Sequence, residues 1–240
     1  RYGDSVEEID WSTGQIMDCL ERLELNRNTI VIFTSDNGSN GRNGGSNKPL
    51  AGAKGGTMEG GMRVPMIVRW PDALRPIALK AGGEDPRMVS FVDLAPTVLS
   101  LAGVPLPEFL QGHAFLGPQA AESQSYLYGF RGRMDERIDL VRSVRDARFV
   151  YIRNYMPHLG YNQQSAWIDQ GEIRRDFYAL AESDKGTAAQ RQYLNSRRPR
   201  EELYDCEADP QNLINLASST EHQSVIAQLR GALRKHMIES

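Results

Sequence analysis

The sequence predicts an α/β chain followed by a smaller α+β part, and three observations carry that expectation. Apolar residues recur at three- and four-residue steps over residues 4–25, and after a short turn the run Thr29-Ile30-Val31-Ile32-Phe33-Thr34 follows, which is the helix-turn-strand repeat of an α/β sheet. A second apolar run spans Val64 to Trp70. Beyond Ser123 the pattern changes to short runs at Tyr126–Phe130, Ile138–Val144 and Phe149–Asn154, the spacing of an antiparallel sheet. The stretch from Pro105 to Ser123, rich in Pro and Gly, separates the two patterns and divides the chain into residues 1–118 and 119–240.

The elements follow in order. The first helix takes Asp4 or Ser5 as its N-cap, and the stripe of Val6, Ile9, Ile16, Leu20 and Leu23 should pack on the sheet. The strands at 29–35 and 64–70 are runs of β-branched and apolar residues that read as buried on both faces, as in a parallel sheet. From Asp72 to Arg87 the composition is that of a surface loop. A helix within 89–101 starts near Asp93 or Leu94, because Pro96 is tolerated only in a first turn, and Gly103 stops it. Asp93 therefore reads as a cap. The strands at 138–144 and 149–154 form a hairpin through residues 145–148, and helices follow at 171–182 and 184–195. Residues 202–205 form a short strand, Asp209-Pro210 a turn, and 221–238 an amphipathic helix.

With 240 residues, 40% of them hydrophobic, the chain is long enough for a real core. Its charge of 28 − 31 = −3 argues against a nucleic-acid binder, and Arg197-Arg198-Pro199-Arg200 reads as solvated surface. No segment reaches the 18 apolar residues of a membrane span, and no signal-peptide pattern opens the chain. A start at Arg1 in place of Met fits a fragment or processed piece. Cys19 and Cys206 match no metal spacing and read as buried free thiols. The four histidines are scattered, and His158 reads first as a surface-loop residue and second as one facing a substrate pocket.

The chemistry concentrates between Thr29 and Pro71. Asp36 and Asn37 stand at the C-terminal tip of a strand, where α/β sheets bind ligands. They offer two hard oxygen donors of the kind Ca²⁺ or Mg²⁺ takes and Zn²⁺ does not; on local grounds Asp-Asn-Gly is equally a turn. The loop that follows is longer and more polar than an ordinary connection. Its glycines at 52, 55, 56, 60 and 61 leave N–H groups for an anion, and Lys48, Lys54 and Arg63 add positive charge.

Four blocks in this order resemble the type I sulfatases of the alkaline-phosphatase superfamily: FTSDNG at 33–38, GAKGGTMEGGMRVPMIVRWP at 52–71, VDLAPTVLSLAGV at 92–104 and EELYDCEADPQNLINLA at 201–217. The resemblance implies the end of an alkaline-phosphatase-like sheet sandwich over 1–118 and a C-terminal α+β subdomain with a short antiparallel sheet over 119–240. It implies that Asp36 and Asn37 bind a divalent cation, calcium first and magnesium second, and that Lys54 contacts the substrate sulfate. Glu59 and Arg63 take a structural role, as an ion pair holding the loop. The implied activity is sulfuric ester hydrolysis on a sulfated small molecule or carbohydrate, in a periplasmic, secreted or lysosomal enzyme. The family's nucleophile is a formylglycine made in a C-x-P-x-R motif, or from serine in some members. Neither Cys19-Leu20-Glu21 nor Cys206-Glu207-Ala208 resembles it, so the nucleophile and the remaining metal ligands are expected from an N-terminal part of the same enzyme. Two other readings stay open: a phosphoester or phosphonate-ester hydrolase of the same superfamily, and a non-catalytic metal-binding module.

Overall fold

The computed structural model describes residues 2–41, 44–72, 74–75, 81–166, 168–183 and 185–240, with the Ile168 side chain also set aside. Part of the expected loop between Asp72 and Arg87, and the first residue of the helix expected at 184–195, lie outside the described residues. The chain divides into two compact units, Arg1–Asp85 and Pro86–Ser240.

The first unit opens with helix α1, Tyr2–Arg22, so Asp4 sits within the first turn rather than at the cap, where its carboxylate meets the positive end of the helix dipole. Glu24, at φ +59°, turns the chain out of the helix while the N–H groups of Leu25 and Asn26 both donate to Leu20 O. Strand β1, Val31–Thr34, then pairs with β2, Met66–Arg69, and the single turn α2, Glu59–Met62, precedes β2. The pairing is antiparallel, with Ile32 opposite Val68 and Phe33 opposite Ile67. This corrects the expectation of a parallel, doubly buried sheet: an apolar run specifies that a strand forms, while its direction is set by how the chain returns. Phe33 and Ile67 are paired and both exposed, at 40% and 63%. The stripe of α1 is likewise uncovered, since no residue of the helix is buried and Val6, Ile9 and Ile16 are about half exposed.

The second unit begins with a 3₁₀ turn over Phe91–Asp93 that runs into α3, Leu94–Leu101. Ser90 is the N-cap of this combined segment and Asp93 its reciprocal partner three residues on, its carboxylate accepting from Ser90 N at 2.8 Å; at the start of α3 itself Asp93 makes no side-chain cap bond. One face of this helix is polar yet buried, with Asp93, Thr97 and Ser100 at most 1% exposed. Asp93 Oδ1 accepts from His113 N, Thr97 Oγ1 from Phe115 N and Ser100 Oγ from Gln119 N, so side chains one turn apart hold the irregular segment 113–119. Gly112 and Gly117 allow the approach: a Cβ would stand 2.0 Å from Val92 O at the first and 2.4 Å from Ser100 Oγ at the second.

Four strands follow, β3 (Leu127–Arg131), β4 (Val141–Arg145), β5 (Phe149–Asn154) and β6 (Glu201–Asp205), paired in sequence order and antiparallel throughout. Asp146 Oδ1 accepts from the N–H of Arg148 and of Phe149, which closes the β4–β5 hairpin as an Asx turn. Between β5 and β6 stand α4, Glu172–Ala181, and α5, Ala188–Leu194; Thr187 and Gln190 cap α5 reciprocally. The last helix, α6, is Gln223–Glu239. Its Ile226, Leu229 and Leu233, at helical steps of three and four, pack on Val144, Tyr151 and Leu203 to form the core of this unit. Burial and a hydrogen bond to Glu201 push the Tyr151 phenol up to about 12. Neither cysteine forms a disulfide, and both are only partly buried. Among the described residues no helix is long and apolar enough to cross a membrane.

Candidate functional site

The first unit places Asp36 and Asn37 just beyond the end of β1. Thr34 Oγ1 donates to Pro65 O at 2.9 Å, tying the strand end to the residue before β2. Ser35 Oγ donates to Asn37 O, and Gly38 N to Gly61 O at 3.0 Å. Gly38 is pressed against α2 so closely that a Cβ there would lie 1.7 Å from Gly60 O. Only glycine fits that approach. The strand tip is therefore locked by backbone contact, and the two residues before Gly38 are held with it.

Lys54 reaches the same place from the other end of the loop. Its backbone N–H donates to Ser39 O at 3.2 Å, two residues beyond Asn37. Asn47 clamps the segment: its Oδ1 accepts from Ser39 N at 2.7 Å, while its Nδ2 donates to Ser39 O and Gly52 O. Gly60 N donates to Ala51 O and Gly56 N to Ala53 O. Segments 36–39, 51–54 and 58–62 are thus one hydrogen-bonded unit, and the three site residues expected from sequence lie on two neighbouring loop segments of it. The Asp36 carboxylate and the Lys54 ammonium are exposed, the Asn37 amide is half-buried, and none of the three side chains has an ion pair or hydrogen bond among the described residues. Lys48 is also exposed and stays without a role.

Two expectations are refined. Glu59 and Arg63 do pair, at 3.4 Å, with Glu59 buried and Arg63 largely exposed. The loop glycines, however, are not all available to an anion: the N–H groups of Gly56, Gly60 and Gly61 donate to Ala53, Ala51 and Met58 carbonyls. These glycines serve close backbone packing, a role invisible in composition. Asn47 was missed for a similar reason, because its partners are eight and five residues away and no local pattern marks them.

Chemically, one carboxylate and one amide carbonyl match the donor type of a hard divalent cation. They supply two oxygens, whereas even Mg²⁺ takes six. Among the described residues no group of three or more His, Cys, Asp or Glu side chains could hold a metal. The donor set fits such an ion in kind, and two oxygens are fewer than its shell takes.

In the second unit the basic run at 197–200 is not uniformly solvated. Arg198 is buried and forms a two-pronged pair with Asp139, one prong at 3.0 Å, while Arg197 and Arg200 stay exposed. Asp139 also faces Arg131 at 3.7 Å. Asp139 is distant in sequence, so the pair left no local signal.

A family model described as Sulfatase matches residues 1–104, and one described as N-sulphoglucosamine sulphohydrolase, C-terminal, matches residues 54–179, more than half of the chain. An ulvan-active sulfatase of Formosa agariphila is 36% identical over 229 residues, which is 95% of this chain and 36% of that protein. Among solved structures, one in complex with its substrate D-glucosamine-2-N,6-O-disulfate is 22% identical, with a TM-score of 0.60 over 96% of this chain and 38% of its own. The phosphonate monoester hydrolase of Agrobacterium radiobacter is 20% identical, with a TM-score of 0.61 over 96% of this chain and 40% of its own. These structural likenesses show a shared α/β fold of the alkaline-phosphatase type. The chain spans less than half the length of each protein it is compared with.

Proposed function

The chain belongs to the sulfatase family, as the C-terminal portion of a type I sulfatase, and from that premise we propose that it contributes one side of the metal and sulfate site of a sulfuric ester hydrolase. The observation that carries the reading is the interlocked backbone of 36–39, 51–54 and 58–62, which carries a carboxylate, an amide and an ammonium without side-chain partners among the described residues. We assign residues 1–118 to the end of the catalytic domain and 119–240 to the C-terminal subdomain; the Sulfatase match ends at residue 104, while the compact units divide at Asp85/Pro86 and the second family match runs from 54 to 179 across both boundaries.

In this reading Asp36 and Asn37 hold one side of a divalent cation, calcium as first choice and magnesium as the alternative. Such an ion, when bound, draws electron density from the sulfate oxygens. Lys54 sets a positive charge where negative charge accumulates as the sulfur–oxygen ester bond breaks, from a backbone position pinned to Ser39. Gly38 and Asn47 are positioning residues for the pair and the lysine. The nucleophile, a formylglycine, is assigned to the N-terminal part of the enzyme. The substrate class is a sulfated carbohydrate, supported by relatives named for ulvan and for a sulfated glucosamine.

A second reading, phosphonate- or phosphoester hydrolysis, rests on the fold shared with the phosphonate monoester hydrolase. Turnover of aryl sulfate, aryl phosphate and aryl phosphonate by the intact enzyme separates the two. Lys54→Ala is expected to cost about 2–4 kcal/mol of transition-state stabilisation on the preferred ester with thermal stability unchanged. Parental kinetics in that variant reject the assignment. Turnover by Arg1–Ser240 alone rejects the division of the site between two parts.

A further inference from the structure

The second unit contains a cavity of about 440 Å³ walled by Tyr155, Pro157, His158, Arg197, Arg198 and Arg200. Its wall carries three guanidinium groups and an imidazole, and no acid. The two sides are bound to each other by backbone: Arg198 N donates to Pro157 O at 3.1 Å, Asn154 N to Arg200 O at 2.9 Å, and Asn154 Nδ2 to Pro199 O at 2.8 Å. Gly160 keeps the loop close, because a Cβ there would stand 2.2 Å from Asn195 O. The cavity is therefore built into the fold by contacts on both walls.

Its charge is only partly spent. Arg198, 8% exposed, gives both terminal nitrogens to Asp139, and its Nε–H is buried with no acceptor. Asp139 is shared with Arg131, and the buried Glu202 carboxylate stands behind the wall, accepting from Asn154 Nδ2; the unspent charge is on the exposed groups. Arg197, Arg200 and His158 are exposed, and their side chains have no ion pair or hydrogen bond among the described residues. Tyr155 and Pro157 add two apolar faces, with the Arg153 guanidinium 5.7 Å from the Tyr155 ring centroid.

We propose that this cavity is an oxyanion site that takes a sulfate or carboxylate group, with the exposed Arg197 and Arg200 as donors. Planar guanidinium forks match such anions in geometry as well as charge. The same chemistry is offered by an acidic saccharide and by free inorganic sulfate. The volume and the Tyr155–Pro157 wall favour the saccharide, since ligand cavities of this size hold far more than one small anion.

The test is calorimetric titration of the intact protein, parent and Arg197→Ala/Arg200→Ala, with a sulfated disaccharide, its unsulfated counterpart and sodium sulfate. The double variant is expected to bind the sulfated disaccharide about tenfold or more weakly, and parental affinity should fall as salt rises. A loss confined to the disaccharide identifies the saccharide as occupant; an equal loss for sodium sulfate identifies the free anion. Both arginines are exposed and unpaired, so folding should survive; Arg200→Lys, which keeps charge without the fork, should recover part of the affinity. Affinities unchanged in the double variant, or equal for sulfated and unsulfated disaccharide, overturn the proposal. Because the readout is binding, it stands or falls separately from aryl sulfate turnover.

Discussion

Among the described residues of Arg1–Asp85 the buried ones are Ala51, Glu59, Gly60, Gly61 and Pro71, whereas Pro86–Ser240 encloses Val144, Tyr151, Leu203, Ile226, Leu229 and Leu233 in one cluster. Both units carry amphipathic helices and apolar strands. Only the second covers them with its own residues. The first is held where it matters by backbone bonds and by glycines that let carbonyls approach within van der Waals reach. An apolar pattern thus identifies an element without saying what covers it, and a site loop can be rigid with almost no core beneath it.

The largest effect that tests this contrast is on stability. Leu229→Ala, at a fully buried position, should cost about 2–5 kcal/mol in denaturant unfolding of the chain, while Ile9→Ala on α1, 51% exposed, should stay within about 0.5 kcal/mol. A large loss at Ile9 would mean that its face is covered and would break the comparison.

Next comes Gly38→Ala, which forces a methyl group into the space of Gly60 O. Displacing the strand tip by about 1 Å should lower turnover of the intact enzyme on the order of a hundredfold while the unfolding midpoint of the second unit is unchanged. Normal turnover would show that the lock is slack.

The smallest effect concerns pH. The Arg148 guanidinium beside Asp205, aided by the N–H groups of Glu207 and Ala208, holds the Asp205 carboxyl below the ordinary aspartate range. A depressed folded-state pKa stabilises above the unfolded value, ~3.9, and that stabilisation is lost as pH falls through the folded one. Asp205→Asn should therefore lower stability at neutral pH and flatten the decline below about pH 4. An unaltered acid limb would assign the pair no share in it.

Much of this architecture was legible in residue order. Strand Phe149–Asn154 has the limits its composition suggests, and the last helix begins with a 3₁₀ turn at Thr220–His222 and ends within a residue of expectation. Asp36, Asn37 and Lys54 could be nominated because strand, tip and glycine loop are contiguous. What stayed hidden depends on distant partners. The direction of β2, the clamp of Asn47 on Ser39, and the burial of Arg198 against Asp139 each need a residue that local periodicity does not mention.

The ladder from Asp93, Thr97 and Ser100 to residues 113–119 has a consequence for cleavage. By composition that segment is a flexible tether, the kind of chain a protease draws into its cleft in extended form. Here its amide groups at His113, Phe115 and Gln119 are occupied by the side chains of a helix, and it cannot be peeled away without exposing a buried carboxylate. Scission within residues 113–119 is then gated by the unfolding of α3, and that segment should outlast the exposed stretch around Phe109 that precedes it.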